Sequence, residues 1–278
     1  MKQTKLDDGV KHLAIDEADL ILTNWVEGVD AKYVNGFKDL RNYPVDQPVA
    51  FRGMTGRKIV KTCENQGREF YYIDTGYLGN REKRKIWHRV VRNGMQHSKV
   101  VWDLPEDRWK NIRLMNWKYN MMWPGWKKNG KAILVVTPSE KPCKYYGITR
   151  DAWVKETIDE IKKHTDRPII VRDKGLRRER VGNGSLYNQL DEDHIFALVT
   201  YNSIAATEAV HYGVPAFTGA PGAADELCLK DLSKIETPYY ADADKVQQWL
   251  HWLGYCQYQT SELKSGLAYK LIQEYGIA

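Results

Sequence analysis

The stretch that decides the fold is Thr200-Tyr201-Asn202-Ser203-Ile204-Ala205-Ala206-Thr207-Glu208-Ala209-Val210-His211-Tyr212-Gly213-Val214-Pro215. The apolar run Ile195-Phe196-Ala197-Leu198-Val199 leads into it and reads as a buried strand ending at Thr200. Asn202 and Ser203 are residue types that cap a helix, and small alanines follow them. Gly213-Val214-Pro215 then stops the helix and opens another strand. Strand, capped helix and strand at this spacing form one unit of a parallel sheet.

Outward from this unit the same alternation continues. Residues 132–137 form a short apolar run ended by Pro138, and residues 168–172 form another. Helical spacing covers 153–164, with Trp153, Thr157, Ile158 and Ile161 on one side, and a short helix fits 185–190. The result is an α/β chain with a doubly wound sheet, whose ligands bind beyond the carboxyl ends of the strands. Arg172, Lys174, residues 200–203 and residues 218–224 are therefore expected on one rim. The first half is less regular, with strands expected at 20–26, 69–74 and 99–102. The Pro/Gly/Lys-rich stretch at 124–131 places the join, giving domains of 1–127 and 128–278. Trp249, Trp252, Leu253, Leu263, Leu267 and Leu271 recur at near-helical intervals and predict two closing helices.

The chain has 278 residues, 42% hydrophobic and 28% charged, which suits one large core or two modest ones. It has no run of about 18 apolar residues, so no spanning helix or membrane partner is expected. Asp7, Asp8, Asp16, Glu17 and Asp19 near the start are foreign to a secretory signal, and the expected location is cytoplasmic. Cys63, Cys143, Cys228 and Cys256 lie far apart with no C-x-x-C, which suits reduced thiols in packing roles and neither zinc nor disulfides. Charge is uneven: residues 52–128 hold 18 basic and 7 acidic side chains, an excess of +11, within a net +6. Trp87, Trp102, Trp109, Trp117, Trp123 and Trp126 fall in that segment. Cations for phosphates and flat rings for bases are what a polyanion surface needs, although a solvated basic face over a Trp-rich core has the same composition. Lys83, Arg84, Lys85, Arg89 and Arg92 are its candidate contacts.

In the deciding stretch, the exposed amides of a helix start can hold an anion, and Asn202, Ser203, Ile204 and Gly219 are the candidate contacts. Glu208 follows within the helix, where a carboxylate can take the hydroxyls of a ribose. This pattern, over residues 131–278, resembles the nucleotide-sugar half of GT-B glycosyltransferases. That likeness implies two Rossmann-like domains, with Glu208 on the donor ribose and with Arg172 and Lys174 beside its diphosphate. Asp74, ending a strand before Gly76, and the segment Trp87-His88-Arg89-Val90-Val91-Arg92 through His97 resemble phage-encoded proteins that glycosylate hydroxymethylated DNA bases.

The resemblance implies transfer of a hexose from a nucleotide sugar, with UDP-glucose first, to a modified base in double-stranded DNA. Asp74 or His97 would be the general base that the acceptor hydroxyl needs. Asp74 equally suits a turn cap, and His97 a packed side chain. No metal or other cofactor is required: Asp191-Glu192-Asp193 and Asp242-Ala243-Asp244 stand where no D-x-D metal cage is expected. Two alternatives remain, a transferase acting on a cell-envelope glycan and a non-catalytic DNA-binding protein on a transferase fold.

Overall fold

A computed structural model describes residues 11–15, 19–53, 57–80, 86–173 and 184–278. The chain divides into two compact units, Met1–Gly76 with Lys85–His97 and Gly254–Ala278, and Tyr77–Arg84 with Ser98–Leu253.

The first unit is built on a six-stranded mixed sheet. Its strands are β1 (Leu13–Ile15), β2 (Lys32–Val34), β3 (Val49–Arg52), β4 (Phe70–Thr75), β5 (Trp87–Arg92) and β10 (Gln257–Gln259), in the order β10-β5-β4-β3-β1-β2. The first four pair in parallel, whereas β5 runs antiparallel to both β4 and β10. Helices α1 (Leu20–Val29), α2 (Gly36–Leu40) and α3 (Arg57–Gln66) connect the parallel strands.

Two expectations for this half are corrected. Residues 20–26 are helix, because the Asp19 carboxylate accepts from the amides of Ile21 at 2.8 Å and Leu22 at 3.2 Å. Leu22 and Trp25, one turn apart, face inward, and Leu20 is 80% exposed. Residues 99–102 form no strand, and Asp103 at φ 61° turns the chain directly after Trp102. Within the first unit Arg68, 2% exposed, donates to the carbonyls of Leu40, Tyr43, Pro44 and Gln47. A charge buried at this depth is tolerable only when carbonyl dipoles surround it, and here it fixes the loop before β3.

The second unit holds β6 (Ala132–Val136), β7 (Ile169–Arg172), β8 (Ile195–Thr200) and β9 (Ala216–Thr218), in the order β7-β6-β8-β9 and parallel throughout. Ile133, Val135, Ala197, Val199 and Phe217 form its core with Ile161 and Ile235. The helices are α4 (Asp107–Met115), α5 (Glu140–Tyr146), α6 (Arg150–Ile161), α7 (Leu186–Glu192), α8 (Ala205–His211) and α9 (Ala243–Tyr255). The alternation expected for residues 132–218 matches these elements.

The units do not divide at 127/128. Residues 98–127 belong with the second sheet because they bind α8 and its exit. Trp123 Nε1 donates to the Val210 carbonyl at 3.1 Å, Trp126 Nε1 to that of Ala241 at 2.7 Å, and Lys127 N–H to that of Gly213 at 2.7 Å. Gly213, at φ 85°, must lack a side chain, since a Cβ there would collide with the Gly125 carbonyl. The last residues return to the first unit through β10, α10 (Thr260–Lys264) and α11 (Leu267–Tyr275).

Helices α1 and α10 meet closely. A Cβ on Gly28 would collide with the Leu263 carbonyl and stand 2.8 Å from the Gly266 amide nitrogen. Glycine inside a helix normally gains about 0.5–1 kcal/mol on replacement by alanine. Here overpacking reverses the sign, and Gly28→Ala is expected to lose about 1–3 kcal/mol in urea denaturation. A stabilised variant would contradict this packing.

Candidate functional site

Because β6, β7, β8 and β9 are parallel, the segments that leave them share one edge of the sheet. Arg172 ends β7, residues 201–204 link β8 to α8, and Gly219 follows β9. Lys174 lies outside the described residues. Six of the seven residues of α8 are buried, and the exception is Glu208. Arg172 Nη1 donates to Gln189 Oε1 at 2.5 Å and Nη2 to the Gly184 carbonyl at 2.7 Å. Burial lowers the pKa of its guanidinium, and the negative charge of Glu208 opposes that shift, so the two side chains sense each other. The expected Ser203 cap differs in detail. The residue before the helix is Ile204, and Ser203 Oγ accepts from the Ala205 amide at 3.2 Å, forming a turn that leads into α8. Asn202 is buried beside it.

Aromatic side chains, which the sequence reading missed, stand behind this turn. The Tyr201 ring lies 5.3 Å from that of Tyr146 and 5.9 Å from that of Trp153, both edge-on. Gly219 donates its N–H to the carbonyls of Thr200 and Tyr201, and a Cβ on it would stand 2.7 Å from the Tyr201 ring. The rim thus combines one carboxylate, one guanidinium and a cluster of aromatic rings packed edge to face, which suits a ligand with hydroxyls and an apolar base. Tyr201 stands inside the deciding motif; its ring contacts come from α5 and α6, which sequence spacing could not bring to it.

The sites assigned to the first half are organised differently. Asp74 faces Arg89 across the β4–β5 pair. Its Oδ1 accepts from Arg52 Nη1 at 3.0 Å and from the Thr75 amide at 2.7 Å, and its Oδ2 from Tyr72 OH at 2.9 Å and Arg89 Nη2 at 3.2 Å. Burial works to raise this pKa, but Arg89, Arg52 and the Thr75 amide outweigh it and hold the carboxyl well below the usual range. Both oxygens are engaged and the anion is stabilised, so Asp74 is a poor proton acceptor. His97 is fully buried, and burial, with Arg89 acting in the same sense, pushes its pKa down to about 3. Neither group has the basicity expected of a general base, and His97 lacks the exposure as well.

Of the five expected nucleic-acid contacts, the two described ones are engaged within the first unit. Arg89 is buried, donating to the carbonyls of Thr75 at 2.6 Å and Met95 at 3.3 Å besides Asp74. Arg92 is bound to Glu69, with its Nε 2.7 Å from Oε2. Lys83, Arg84 and Lys85 lie outside the described residues. Trp87 and Trp109 are core residues, while Trp123 and Trp126 hold the strap across α8. Of the six tryptophans in that segment, Trp117 is the openly exposed one, at 77%. Among the described residues, no group of three or more His, Cys, Asp and Glu is placed to hold a metal, and no helix is long and apolar enough to cross a membrane.

No protein-family model matches the chain, and no curated protein matches it in sequence. Among solved structures it is similar to KpsC of Thermosulfurimonas dismutans, a β-Kdo 2,4-transferase, at 13% identity and a TM-score of 0.51, over 94% of this chain and 98% of that one. It is also similar to the β-Kdo 2,7-transferase of the same KpsC, at 11% identity and a TM-score of 0.53, over 94% of this chain and 99% of that one. At such identities the likeness is one of fold alone, an α/β chain with two sheets.

The Asp74 knot makes a direct prediction. Because its folded pKa is depressed, Asp74 contributes stability that is present above its unfolded value, about pH 3.9, and is lost as pH falls through the folded value. Asp74→Asn is expected to cost about 2–4 kcal/mol near neutral pH and to remove that acid-dependent component. Chemical denaturation between pH 7 and pH 2 checks this, and a variant of unchanged stability at pH 7 would contradict it.

Proposed function

We propose that this chain is a glycosyltransferase that moves a sugar from a nucleotide-activated donor, held on the rim of the second unit, to a saccharide acceptor of the cell envelope. The carrying observation is the inside-out construction of α8, which leaves Glu208 as its one residue that is not buried, within electrostatic reach of Arg172. A carboxylate held this way can accept two hydrogen bonds from a vicinal diol, the distinctive group of a ribose. The Tyr146–Trp153–Tyr201 cluster offers apolar area to the attached base, and the absence of a side chain at Gly219 lets the loop after β9 lie against the Tyr201 ring. Arg172, with its fork bonded to Gln189 and Gly184, positions the segment before α7 and balances the charge of Glu208.

The acceptor is read as a saccharide for two reasons. The solved structures of similar fold are named for Kdo transfer. The arginines and most of the tryptophans that favoured a DNA base are committed to ion pairs and packing inside the protein. Transfer to a hydroxymethylated base would need those side chains at the surface, and it is the weaker reading. Within the donor class, UDP-glucose and a nucleotide-activated Kdo are the two candidates to compare.

Calorimetric titration of both donors into the full chain tests the proposal. Glu208→Ala is expected to weaken the bound donor by about 10- to 150-fold, the equivalent of about 1.5–3 kcal/mol for a charged hydrogen bond. Equal affinity of the variant and the parent for every donor that binds would refute the assignment.

A further inference from the structure

Residues 114–122 of the second unit carry four large apolar side chains in solvent: Leu114 is 65% exposed, Met115 41%, Trp117 77% and Met122 48%. We propose that this segment is a docking surface for the headgroup layer of an anionic lipid bilayer.

The segment is held in shape by its own chain. Asn116 ends α4, where its Nδ2 donates to the Ile112 carbonyl at 2.8 Å and its N–H to the same carbonyl at 3.2 Å. The Tyr119 N–H donates to the Asn116 carbonyl at 2.8 Å, which sets Trp117 and Lys118 at the tip of a turn. The Met122 N–H donates to Asn120 Oδ1 at 3.1 Å and fixes the bend that follows. Other residues of the same stretch face the interior. Trp109, Ile112 and Met121 are buried, and the Met121 carbonyl is 3.0 Å from His211 Nε2. One stretch of chain thus supplies one apolar set to the core and a second to solvent. Single exposed apolar residues are ordinary, but four within nine residues mark a surface with a partner.

Charge identifies the partner. Residues 110–128 contain Lys110, Arg113, Lys118, Lys127 and Lys128 and neither Asp nor Glu. Lys127 is taken by Asp191 at 3.4 Å. Among the described residues no carboxylate pairs with Lys110, Arg113 or Lys118, whereas Arg89 and Arg92 are bound to Asp74 and Glu69. Lys118 Nζ stands 6.0 Å from the Trp117 ring centre, and Trp117 stays open to solvent beside it. An indole settles at the boundary between headgroups and acyl chains. Leu and Met side chains enter the apolar layer there, and the cations meet lipid phosphates. Such a contact involves one leaflet and needs no spanning helix. A polynucleotide would satisfy the cations and the indole but leave Leu114, Met115 and Met122 against water and charge. A second copy of the chain, paired two-fold through this patch, would set the three cations against their own copies. The segment meets α8 at its exit, through Val210 and His211, and the donor rim lies at the entry of that helix. This inference does not rest on the donor assignment, since lipid binding is measured without a donor.

The test is flotation of the full chain with vesicles of equal parts phosphatidylcholine and phosphatidylglycerol, set against vesicles of phosphatidylcholine alone. Anionic vesicles are expected to carry the chain at about 0.1 M salt and to release most of it at about 0.5 M, as screening shortens the reach of each charge. Trp117→Ala is expected to weaken binding tenfold or more. Joint replacement Lys110→Gln, Arg113→Gln and Lys118→Gln should weaken it about a hundredfold, from about fivefold for each charge removed. Both variants should retain the parent melting temperature and donor affinity. If Trp117→Ala melts early, Leu114→Ser and the charge variant decide the matter together. No binding to anionic vesicles at low salt, equal binding to phosphatidylcholine alone, or full binding by the variants would overturn the surface. So would capture of duplex DNA through these residues by a chain that ignores vesicles, or a dimer that Trp117→Ala splits in a chain that ignores them. A chain that binds anionic vesicles through Trp117 but takes no nucleotide sugar would support this surface and refute the donor assignment alone.

Discussion

The candidate site depends on how α8 is held. A seven-residue helix has too few internal hydrogen bonds to be stable alone, so its position is set by what packs around it. Ala205, Ala206, Ala209 and Val210 lie against the sheet side, and His211 is caught between Tyr187 OH at 3.3 Å and the Met121 carbonyl at 3.0 Å. A bond to a carbonyl requires the proton on Nε2, which leaves Nδ1 to accept from Tyr187. The strap from Trp123 to Lys127 then closes over the helix exit at Gly213. With every other face occupied, Glu208 has its position imposed from outside, which is how a binding carboxylate becomes preorganised.

The first unit shows the opposite use of charge. Arg52, Arg68, Arg89 and Arg92 are bound to Asp74, to loop carbonyls and to Glu69. Each guanidinium carries five donors in a fixed fork, and these sites use that fork to join strands and loops that are distant in sequence. The excess of +11 over residues 52–128 therefore overstates the charge available to a partner. Counting cations cannot separate those in solvent from those that bind the interior.

The same distinction explains what was legible in the sequence. The parallel half was readable because each of its strands is a short apolar run bounded by Pro, Gly or a capping residue, so local pattern and tertiary role agree. The rim followed from that topology alone, and Arg172, Glu208 and Gly219 fall on it. In the first half local pattern and role diverge. Leu20-Ile21-Leu22-Thr23-Asn24-Trp25-Val26 fits either period, and only the Asp19 cap makes it a helix. β5 was hidden because His88 and Arg89 are buried in its middle, against the usual alternation. The true limits of the units were out of reach, since they depend on indole–carbonyl bonds and a returning strand spanning from 87 to some 170 residues of chain. The aromatic cluster at Tyr201 was hidden for the same reason.

The central claim, a nucleotide-sugar site on the rim of the second unit, is tested most directly by hydrogen exchange of the full chain with and without saturating donor nucleotide. The account predicts slower exchange confined to residues 137–139, 201–208 and 218–224, with β5 and α4 unchanged. Protection centred on residues 86–97, or none at a nucleotide concentration shown to bind, would contradict it.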